Sequence, residues 1–484
     1  MSLKLSDQSL LRADAYIDGA WLGGAARFPV TNPATGEVIA EVADLTADDT
    51  TAAIAVAKEA GRGWAALTAK ERASIMWRWH HLIADNADDL AQILTAEMGK
   101  PLAEAKAEVA YGASFINWFA EEGRRITGDI LRAHLPDKRL LVLKQPIGVY
   151  AAITPWNFPN AMVTRKLAPG MAAGCAGILK PAKQTPLSAL ALAELAHRAG
   201  IPKGVVNVLT TSDSASVGRV LTRHADVRKI SFTGSTEVGR VLMTQAAAGI
   251  KKLSLELGGN APMLVFADAD MEVAVTEALA SKFRNAGQTC VCANRIFVED
   301  SIYDAFAKRL TEAVAKMKLG DGAKAGVTIG PLIDMAAVEK VEDHIADACQ
   351  GGAKVVVGGK RAKLGGSFFE PTVLTGVVPA MKIFREETFG PVAPLFRFKT
   401  EAEAIALAND TIFGLAAYFF ARDMARVWRV AEALEYGIVS LNTGVFANEI
   451  GPFGGVKQSG LGREGSRYGI DEYLEMKYVC LGGG

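Results

Sequence analysis

The sequence contains few cysteines, and their arrangement excludes two common uses of that residue. There are five, an odd number, at positions 175, 290, 292, 349 and 480, which is not typical of the disulfide framework of a secreted protein. Only Cys290 and Cys292 are close in sequence, and neither a histidine nor a second cysteine pair lies near them, so a zinc site is not expected. We therefore predict a catalytic or redox role for this pair, and no metal.

An excess of one charge and a long apolar segment are also missing. Lysine plus arginine and aspartate plus glutamate both number 53, so the basic surplus of a nucleic-acid-binding protein is absent. No apolar run approaches the ~18 residues that span a bilayer. Charged residues interrupt the first 21 residues, where a signal peptide needs an apolar core. We predict a cytoplasmic protein with no nucleic-acid or membrane partner.

Glycine, in contrast, is abundant, and the chain is long. There are 48 glycines among 484 residues, which exceeds the usual ~7% and indicates many tight turns and close backbone approaches, as nucleotide sites need. A chain of this length is too long for a single hydrophobic core. Two or three domains are expected.

The apolar pattern changes along the chain. Helical spacing of apolar residues predicts helices over 46–64, 70–86 and 87–126. From about residue 140 short β-rich runs alternate with helices, which predicts parallel, doubly wound sheets. The alternation starts again after residue 260. Two α/β domains joined near Leu257–Asn260 are therefore predicted.

Three segments carry residue types that chemistry needs. Ile230–Gly239 places glycine and small hydroxyls between a strand and a helix, where backbone N–H groups could bind a pyrophosphate; a tight turn without a ligand is the alternative. Burial of Glu256 at the end of an apolar strand would raise its pKa and suit a general base, unless it forms a salt bridge. Cys290 follows a predicted helix in a polar stretch and is an accessible nucleophile or a buried structural residue.

Together these segments resemble the aldehyde dehydrogenase superfamily over nearly the whole chain. The matching motifs are PWNFP (155–159), LKPA (179–182), FTGS (232–235), LELGG (255–259), GQTC (287–290), EETFGP (386–391) and PFGG (452–455). Within the superfamily, residues 283–294 and 454–477 look most like the succinate-semialdehyde dehydrogenases.

The resemblance implies an α/β fold of the aldehyde dehydrogenase type. It has two doubly wound α/β domains, a Rossmann-like cofactor domain and a catalytic domain, plus a β-strand oligomerisation arm. We assign residues 1–127 and 145–257 to the cofactor-binding domain, 258–455 to the catalytic domain, and 128–144 and 468–484 to the arm. A homo-oligomer, either a dimer or a tetramer, is expected.

The resemblance also implies a mechanism. Cys290 attacks the aldehyde to give a thiohemiacetal, whose oxyanion is held by Asn157 and by the Cys290 backbone N–H. Hydride transfer to the nicotinamide leaves a thioester, and Glu256 activates the water that hydrolyses it. The expected activity is NAD(P)-dependent oxidation of an aldehyde, without a metal.

A cofactor site is implied as well. Its expected members are Trp156 and Lys180 near the adenosine ribose, Gly234 and Ser235 at the pyrophosphate, Glu387 on the nicotinamide ribose, and Phe389 beside the nicotinamide. Lys183 stands where NAD-preferring relatives often have a glutamate, and a lysine can attract a 2′-phosphate. NADP is therefore predicted to be preferred, with NAD as the alternative. Core packing of the two aromatic residues and an exposed loop position for Lys183 are the competing interpretations.

Two arginines predict a substrate with a carboxylate some carbons from its aldehyde. Arg284 and Arg165 match the positions at which succinate-semialdehyde dehydrogenases hold the distal carboxylate, although a surface salt bridge is possible for either one. One departure is evident. Ala447, beside bulky Phe446, replaces a serine of those relatives, so preference could shift to a homologue such as glutarate semialdehyde.

The Cys290–Cys292 pair is predicted to form a reversible disulfide that switches the enzyme off. A thiolate-prone, partly exposed nucleophile favours oxidation, and some relatives with the same Cys-x-Cys loop are regulated in this way. The Cα–Cα distance opposes this disulfide. A bridge needs Cα atoms about 4.4–6.8 Å apart, whereas residues i and i+2 of an extended chain are about 6.6–7 Å apart. Otherwise Cys292 is a packing residue.

Three rival functions stay open. A cofactor-independent thiol esterase would use Cys290 and Glu256 but would not need Gly234, Ser235 or Glu387. A non-catalytic protein on the same fold would be expected to lose the cysteine or the glutamate. A CoA-acylating enzyme would resolve the thioester without Glu256. An assay of nicotinamide reduction with a panel of aldehydes separates all three.

Overall fold

The strands of the chain form four sheets in the computed structural model, which describes residues 3–483. Met1, Ser2 and Gly484, the outermost residues of the predicted ranges 1–127 and 468–484, lie outside the described residues. Within residues 3–483, no helix is both long and apolar enough to cross a membrane.

Helices occur throughout the described part of the chain. In chain order, the α-helices are α1 (Ala47–Ala66), α2 (Ala69–Asp85), α3 (Ala87–Met98), α4 (Leu102–Gly123), α5 (Ala161–Ala173), α6 (Leu187–Arg198), α7 (Ser214–Arg223), α8 (Thr236–Ala247), α9 (Met271–Phe283), α10 (Tyr303–Val314), α11 (Met335–Gln350), α12 (Lys382–Arg385), α13 (Glu401–Asn409) and α14 (Met424–Ala433). Short 3-10 turns lie at Gln8–Leu10, Arg284–Gly287, Asp300–Ile302, Lys457–Ser459 and Asp471–Tyr473.

The strands follow the same order. They are β1 (Ala15–Ile17), β2 (Ala20–Leu22), β3 (Ala26–Thr31), β4 (Val38–Asp44), β5 (Asp129–Leu131), β6 (Lys138–Pro146), β7 (Val149–Ile153), β8 (Ala176–Lys180), β9 (Val206–Val208), β10 (Val227–Thr233), β11 (Lys252–Glu256), β12 (Ala261–Val265), β13 (Ala293–Glu299), β14 (Lys354–Val357), β15 (Thr372–Thr375), β16 (Val392–Phe398), β17 (Ala416–Phe420), β18 (Ile438–Leu441), β19 (Gly460–Leu461) and β20 (Leu474–Gly482).

Local sequence sets the ends of several helices. Thr46 and Asp49 form a capping box at the start of α1, so two backbone N–H groups that lack helical partners are satisfied. The helical stretch predicted over 87–126 is broken at Gly99, which adopts a φ of +92° between α3 and α4. The prediction of one continuous helix there is wrong, because a left-handed residue ends a helix.

The first large sheet has the strand order β19-β11-β10-β7-β8-β9-β1-β2. Its centre, β11 to β9, is parallel, and every residue of β7 and β8 is buried. Strands buried on both faces are expected to be continuously apolar, which holds for β7 and for β8 up to its last residue, Lys180. The doubly wound α/β prediction is therefore confirmed for this half of the chain.

The second large sheet has the order β14-β15-β16-β13-β12-β17-β18. All of its pairs are parallel except β14 with β15. The chain crosses from the first sheet to the second between Glu256, the last residue of β11, and Ala261, the first residue of β12. This crossing lies where the sequence predicts it, near Leu257–Asn260.

Two smaller antiparallel sheets complete the architecture. β3 pairs with β4, and β6 lies between β5 and β20 in a three-stranded sheet that joins the two segments predicted to form an arm. The domain ranges remain our proposal. The structure adds one connection that they omit, because Gly460–Leu461 returns to the first sheet and pairs with β11.

Candidate active site

A cavity of about 600 Å³ lies beside the crossing between the two large sheets. It brings together most of the predicted site residues, which are Trp156, Asn157, Arg165, Gly234, Ser235, Glu256, Arg284, Cys290, Glu387 and Phe389, with Ala447 also in its wall. Lys180, Lys183 and Cys292 are not among the residues that line it. Residues separated by hundreds of positions therefore share one concave site, the usual form of a small-molecule site.

Cys290 is presented by an irregular turn that follows α9. Asn285 and Ala286 both have φ near +54°, the left-handed region, and a Cβ at Gly259 would collide with the carbonyl oxygen of Cys290. The glycine therefore allows the crossing to approach the cysteine closely. Cys290 itself is half-buried.

The electrostatic surroundings of Cys290 keep its thiol protonated. Withdrawal from solvent raises the pKa of Cys290 to about 12, and the nearby carboxylates Glu387 and Glu256 add to this effect. Burial and negative neighbours both disfavour a thiolate. The expectation of a thiolate-prone cysteine is therefore wrong for the chain by itself.

Glu256 is buried at the end of β11, with 2% of its surface exposed. Neither of its carboxylate oxygens has a hydrogen-bond partner among the described residues. Burial, and next the charge of Glu464, raises the pKa of Glu256 well above its ordinary value. The strand-end salt bridge considered as an alternative does not form, and a carboxyl without a partner is free to exchange a proton with a molecule in the cavity.

Asn157 is held at both its backbone and its side chain. Its carbonyl oxygen accepts hydrogen bonds from Lys100 Nζ at 2.8 Å and Asn285 Nδ2 at 3.0 Å. Its own Nδ2 donates to the carbonyl of Gln288 at 2.9 Å, which leaves the second amide hydrogen for another acceptor. The side chain is thereby fixed beside the cysteine loop.

One wall of the cavity carries the features predicted for a nucleotide. Ser235 caps α8, accepting from Val238 N at 3.3 Å, so the helix N-terminus faces this wall. Glu387 Oε1 accepts from Gly259 N at 3.1 Å, and burial raises the pKa of Glu387 to about 7. Trp156 and Phe389 meet edge to face with ring centroids 5.5 Å apart. Both rings line the cavity and are half-buried, and Trp156 also packs against the hydrophobic core. Cofactor contact and core packing therefore both stay open.

The two predicted cofactor lysines differ in their surroundings. Lys180 is buried, and its Nζ donates to Pro181 O and Ser214 Oγ, both at 3.1 Å. Burial lowers the pKa of Lys180 to about 8. Lys183 is exposed in the loop between β8 and α6. Among the described residues neither lysine forms an ion pair, so each is available to an anion.

The two predicted substrate arginines also differ. Arg165 is buried, with Nε 2.9 Å from Glu464 Oε2 and its guanidinium 3.8 Å above the Phe453 ring. Arg284 forms no ion pair within residues 3–483, and its Nε has no hydrogen-bond partner there. Arg165 therefore does form an ion pair, but a buried one within the cavity wall, so the surface salt bridge considered as an alternative applies to neither arginine.

The family of the chain follows from a comparison with known proteins. The sequence model of the aldehyde dehydrogenase family matches residues 21–479, almost the whole chain. The chain belongs to the aldehyde dehydrogenase family. The predicted membership and fold class are thereby confirmed.

Individual aldehyde dehydrogenases are similar over their full length. The chain is 62% identical to the succinate-semialdehyde dehydrogenase [NADP(+)] GabD of Escherichia coli (strain K12), covering 99% of this chain and 100% of the relative. It is 61% identical to the glutarate-semialdehyde dehydrogenase of Pseudomonas aeruginosa, again covering 99% and 100%. The crystal structure of succinate-semialdehyde dehydrogenase from Burkholderia pseudomallei superposes with a TM-score of 0.98 at 60% identity, over 99% of this chain and 100% of that one.

Several residues of this aldehyde dehydrogenase site were missed from the sequence. Glu464 binds Arg165, Lys166 and Ser231, and the positive charges of Lys166 and Arg165 outweigh burial and lower its pKa. Lys100 pairs with Glu108 at 2.5 Å and so supports Asn157. Glu108 lies on α4, where polar residues recur at helical spacing within an apolar stretch, but no such local pattern marks Lys100 or Glu464.

Cys292 is not among the residues that line the cavity, although it is two positions from Cys290. It is fully buried, and its Sγ is 3.2 Å from Lys282 Nζ and 3.4 Å from Lys282 O. Both Cys290 and Cys292 are free thiols. The redox prediction stays open, and any disulfide must first break this contact with lysine.

Among the described residues, no group of three or more His, Cys, Asp or Glu side chains is placed to hold a metal ion. Independence from metal remains a prediction.

Proposed function

We propose that this aldehyde dehydrogenase oxidises an aldehyde that carries a distal carboxylate. Succinate semialdehyde, or a close homologue such as glutarate semialdehyde, is converted to the dicarboxylate, with NADP preferred over NAD. The observation that carries the proposal is a single cavity that holds both Cys290 and the unpaired guanidinium of Arg284. The names of the full-length relatives support the same substrate class.

The proposed chemistry begins at the cysteine sulfur. Cys290 Sγ gives up its proton to solvent water and forms a bond to the aldehyde carbon, while the second electron pair of the C=O bond moves to the oxygen, which becomes the oxyanion of the thiohemiacetal. The free amide hydrogen of Asn157 and the Cys290 backbone N–H donate to that oxygen. Both donors are neutral, so they stabilise the charge without preventing its collapse in the next step.

The cofactor wall fits a nicotinamide dinucleotide. The α8 N-terminus at Gly234 and Ser235 suits a pyrophosphate, and buried Thr233 Oγ1 beside it has no partner among the described residues. Lys180 and Lys183 supply positive charge for a 2′-phosphate. When bound, the cofactor accepts the hydride that the thiohemiacetal carbon loses, and a thioester on Cys290 remains.

Glu256 completes the cycle in this proposal. Its ionised carboxylate accepts a proton from water as the water oxygen attacks the thioester carbon, the C–S bond breaks, and the cysteine takes up a proton again. A raised pKa makes Glu256 a stronger base once it is ionised. Buried and without a fixed partner, it is suited to this exchange.

The direct test is cofactor reduction, followed by absorbance of the reduced nicotinamide, with succinate semialdehyde, glutarate semialdehyde and butanal. The semialdehydes should be oxidised with a kcat/KM at least about 10-fold above that of butanal, the size of one charge-assisted contact. No cofactor reduction with any aldehyde would favour an esterase, and a requirement for CoA would favour an acylating enzyme.

A matched variant separates the two halves of the reaction. Glu256→Gln should still reduce about one cofactor per site and then stop, with an acyl group on Cys290 detected by mass spectrometry, because hydrolysis loses its base. Steady-state turnover should fall by about 10²–10⁴-fold. Full turnover in this variant would remove Glu256 from the proposal.

We also propose that the chain forms a homo-oligomer, a dimer or a tetramer, through the sheet β20-β6-β5. In a single chain this sheet exposes large apolar side chains to solvent: 84% of the surface of Ile130 and 76% of that of Met476 are exposed. Large exposed apolar side chains on both edge strands of one sheet suit an interface with another chain. Light scattering of the wild type and of Met476→Glu should show a smaller assembly for the variant, whereas a monomeric wild type would refute the proposal.

The cytoplasmic location stays a prediction.

A further inference from the structure

We infer that Tyr111 is a third group of the substrate's anion site, its phenolic hydroxyl donating to the distal carboxylate beside Arg165 and Arg284. The inference rests on the proposed function and adds to it a specificity-determining residue that the sequence motifs do not contain.

Tyr111 reaches the cavity from α4. The residues of this helix that line the cavity are Glu104, Ala107, Glu108 and Tyr111, a spacing of three and four that places them on one helical face. Tyr111 is the last of the four along the helix. Tyr111 therefore lies on the same helical face as Glu108. Glu108 pairs with Lys100, and Lys100 in turn donates a hydrogen bond to the carbonyl oxygen of Asn157.

The hydroxyl of Tyr111 is buried and has no hydrogen-bond partner among the described residues. Buried polar atoms are nearly always paired in native proteins, because an unpaired one loses its bonds to water without replacement. The hydroxyl of a merely structural tyrosine would be bonded within the protein, as that of Tyr303 is to Leu395 O at 3.1 Å. Because Tyr111 also lines the cavity, a molecule bound there is in a position to supply the missing partner.

The neighbouring charges identify that partner as an anion. Arg165 and Arg284 line the same cavity, and Arg165 Nη2 and Arg284 Nε are also buried without hydrogen-bond partners among the described residues. Burial raises the pKa of Tyr111, and the charges of these two guanidiniums oppose that rise. Three donors without hydrogen bonds, two of them charged, suit a carboxylate.

Another part of the cavity wall offers no hydroxyl. Ala447 lines the same cavity, and its side chain is a methyl group without a hydrogen-bonding atom. The neighbouring Phe446 packs against Tyr418 and Phe453, with centroids 5.6 and 6.5 Å apart, and is not among the cavity residues. Tyr111, on α4, therefore supplies a hydroxyl to a cavity that receives none from residues 446 and 447.

The test is Tyr111→Phe, which removes one oxygen and keeps the ring, whose centroid is 4.8 Å from that of Phe115. The ratio of kcat/KM for succinate semialdehyde to that for butanal should fall about 10-fold, the effect of one hydrogen bond to a charged group, and the change should appear in KM rather than kcat. The control Tyr303→Phe loses a buried hydroxyl outside the cavity lining and should leave the ratio unaltered. An unchanged ratio in Tyr111→Phe would overturn the inference.

A second measurement avoids the semialdehyde altogether. Butyrate, which has the carboxylate but no aldehyde, should inhibit butanal oxidation competitively in the wild type, and about 10-fold more weakly in Tyr111→Phe. If the wild type is not inhibited, the anion site is absent and the proposed function fails together with the inference. If the wild type and Tyr111→Phe are inhibited equally, the proposed function stands and the role of Tyr111 is refuted.

Restoring the serine provides the remaining control. Ala447→Ser should lower the KM for succinate semialdehyde more in the Tyr111→Phe background than in the wild type, since two hydroxyls that serve one carboxylate are partly redundant. Equal, additive effects would place the two residues at different parts of the substrate and contradict the inference.

Discussion

Arg165 Nε lies 2.9 Å from Glu464 Oε2. This ion pair distinguishes Arg165 from Arg284, although the sequence predicts that both arginines bind the same substrate carboxylate. Glu464 is also 2.5 Å from Lys166 Nζ, so the charge of Arg165 is already partly compensated. Arg284 forms no such pair within the described residues. Of the two arginines, Arg284 is therefore the one whose charge no ion pair compensates among the described residues.

The first prediction follows from that difference. Arg284→Ala should raise the KM for succinate semialdehyde about 10- to 100-fold and the KM for butanal little, with small change in thermal stability. Arg165→Ala should weaken binding of the same substrate and also lower the free energy of unfolding by up to about 3–5 kcal/mol, because Glu464 stays buried with fewer partners. Steady-state kinetics and thermal denaturation measure both effects. If Arg284→Ala raised both KM values equally, Arg284 would not bind the carboxylate.

The second prediction concerns the choice of cofactor. Lys183→Glu should reverse the preference from NADP to NAD, because a carboxylate repels a 2′-phosphate and can bind the two ribose hydroxyls. Lys183→Gln removes attraction without adding repulsion and should raise the KM for NADP about 10-fold. The KM values for both cofactors decide the matter. A wild type that uses NAD and ignores NADP would show that Lys183 has no electrostatic role.

The third prediction is a pH dependence of the nucleophile. Because burial raises the pKa of Cys290 to about 12, its thiol stays protonated at neutral pH, and the reactive thiolate becomes more common as pH rises. Alkylation of Cys290 by iodoacetamide in the enzyme without cofactor should accelerate about 10-fold per pH unit from roughly pH 7 to 10, since each unit below the pKa is one decade of thiolate. Mass spectrometry of the Cys290 peptide measures the rate, and exposed Cys349 should react faster at neutral pH. A rate that levels off near neutral pH would contradict the raised pKa.

The fourth prediction is the redox switch of Cys290 and Cys292. Mild peroxide should inactivate the wild type and dithiothreitol should restore it, with a loss of two hydrogens from the peptide that contains both cysteines. Cys292→Ala should instead proceed to irreversible sulfinic acid. Because Cys292 is buried against Lys282, bridge formation should be slower than loss of activity. Identical sensitivity and recovery in Cys292→Ala would rule out the switch.

The sequence by itself determined the features that are encoded in contiguous residues. Segments of fewer than ten neighbouring residues encode three such features: the turn at Gly234 and Ser235, the crossing after Glu256 and the loop before Cys290. Each lies where the motifs predict it. The alternation of apolar strands with helices likewise determined two parallel sheets, because a buried strand needs an unbroken apolar run and a crossover helix. Short-range patterns of this kind depend on backbone geometry and burial, which local sequence specifies.

Only the tertiary structure decided which charges and hydroxyls remain without partners. Glu464 neutralises part of Arg165 and Lys166 from 298 positions further along than Lys166, and Lys100 reaches Asn157 across 57 positions. Cys290 has a high rather than a low pKa, because desolvation and the carboxylates of Glu387 and Glu256 act on it through space. The hydroxyl of Tyr111 likewise has no hydrogen-bond partner because the fold places no donor or acceptor of the described residues beside it. Electrostatic free energies depend on the distances between charges and on the exclusion of water, and both are set only when the two large sheets pack together around the cavity.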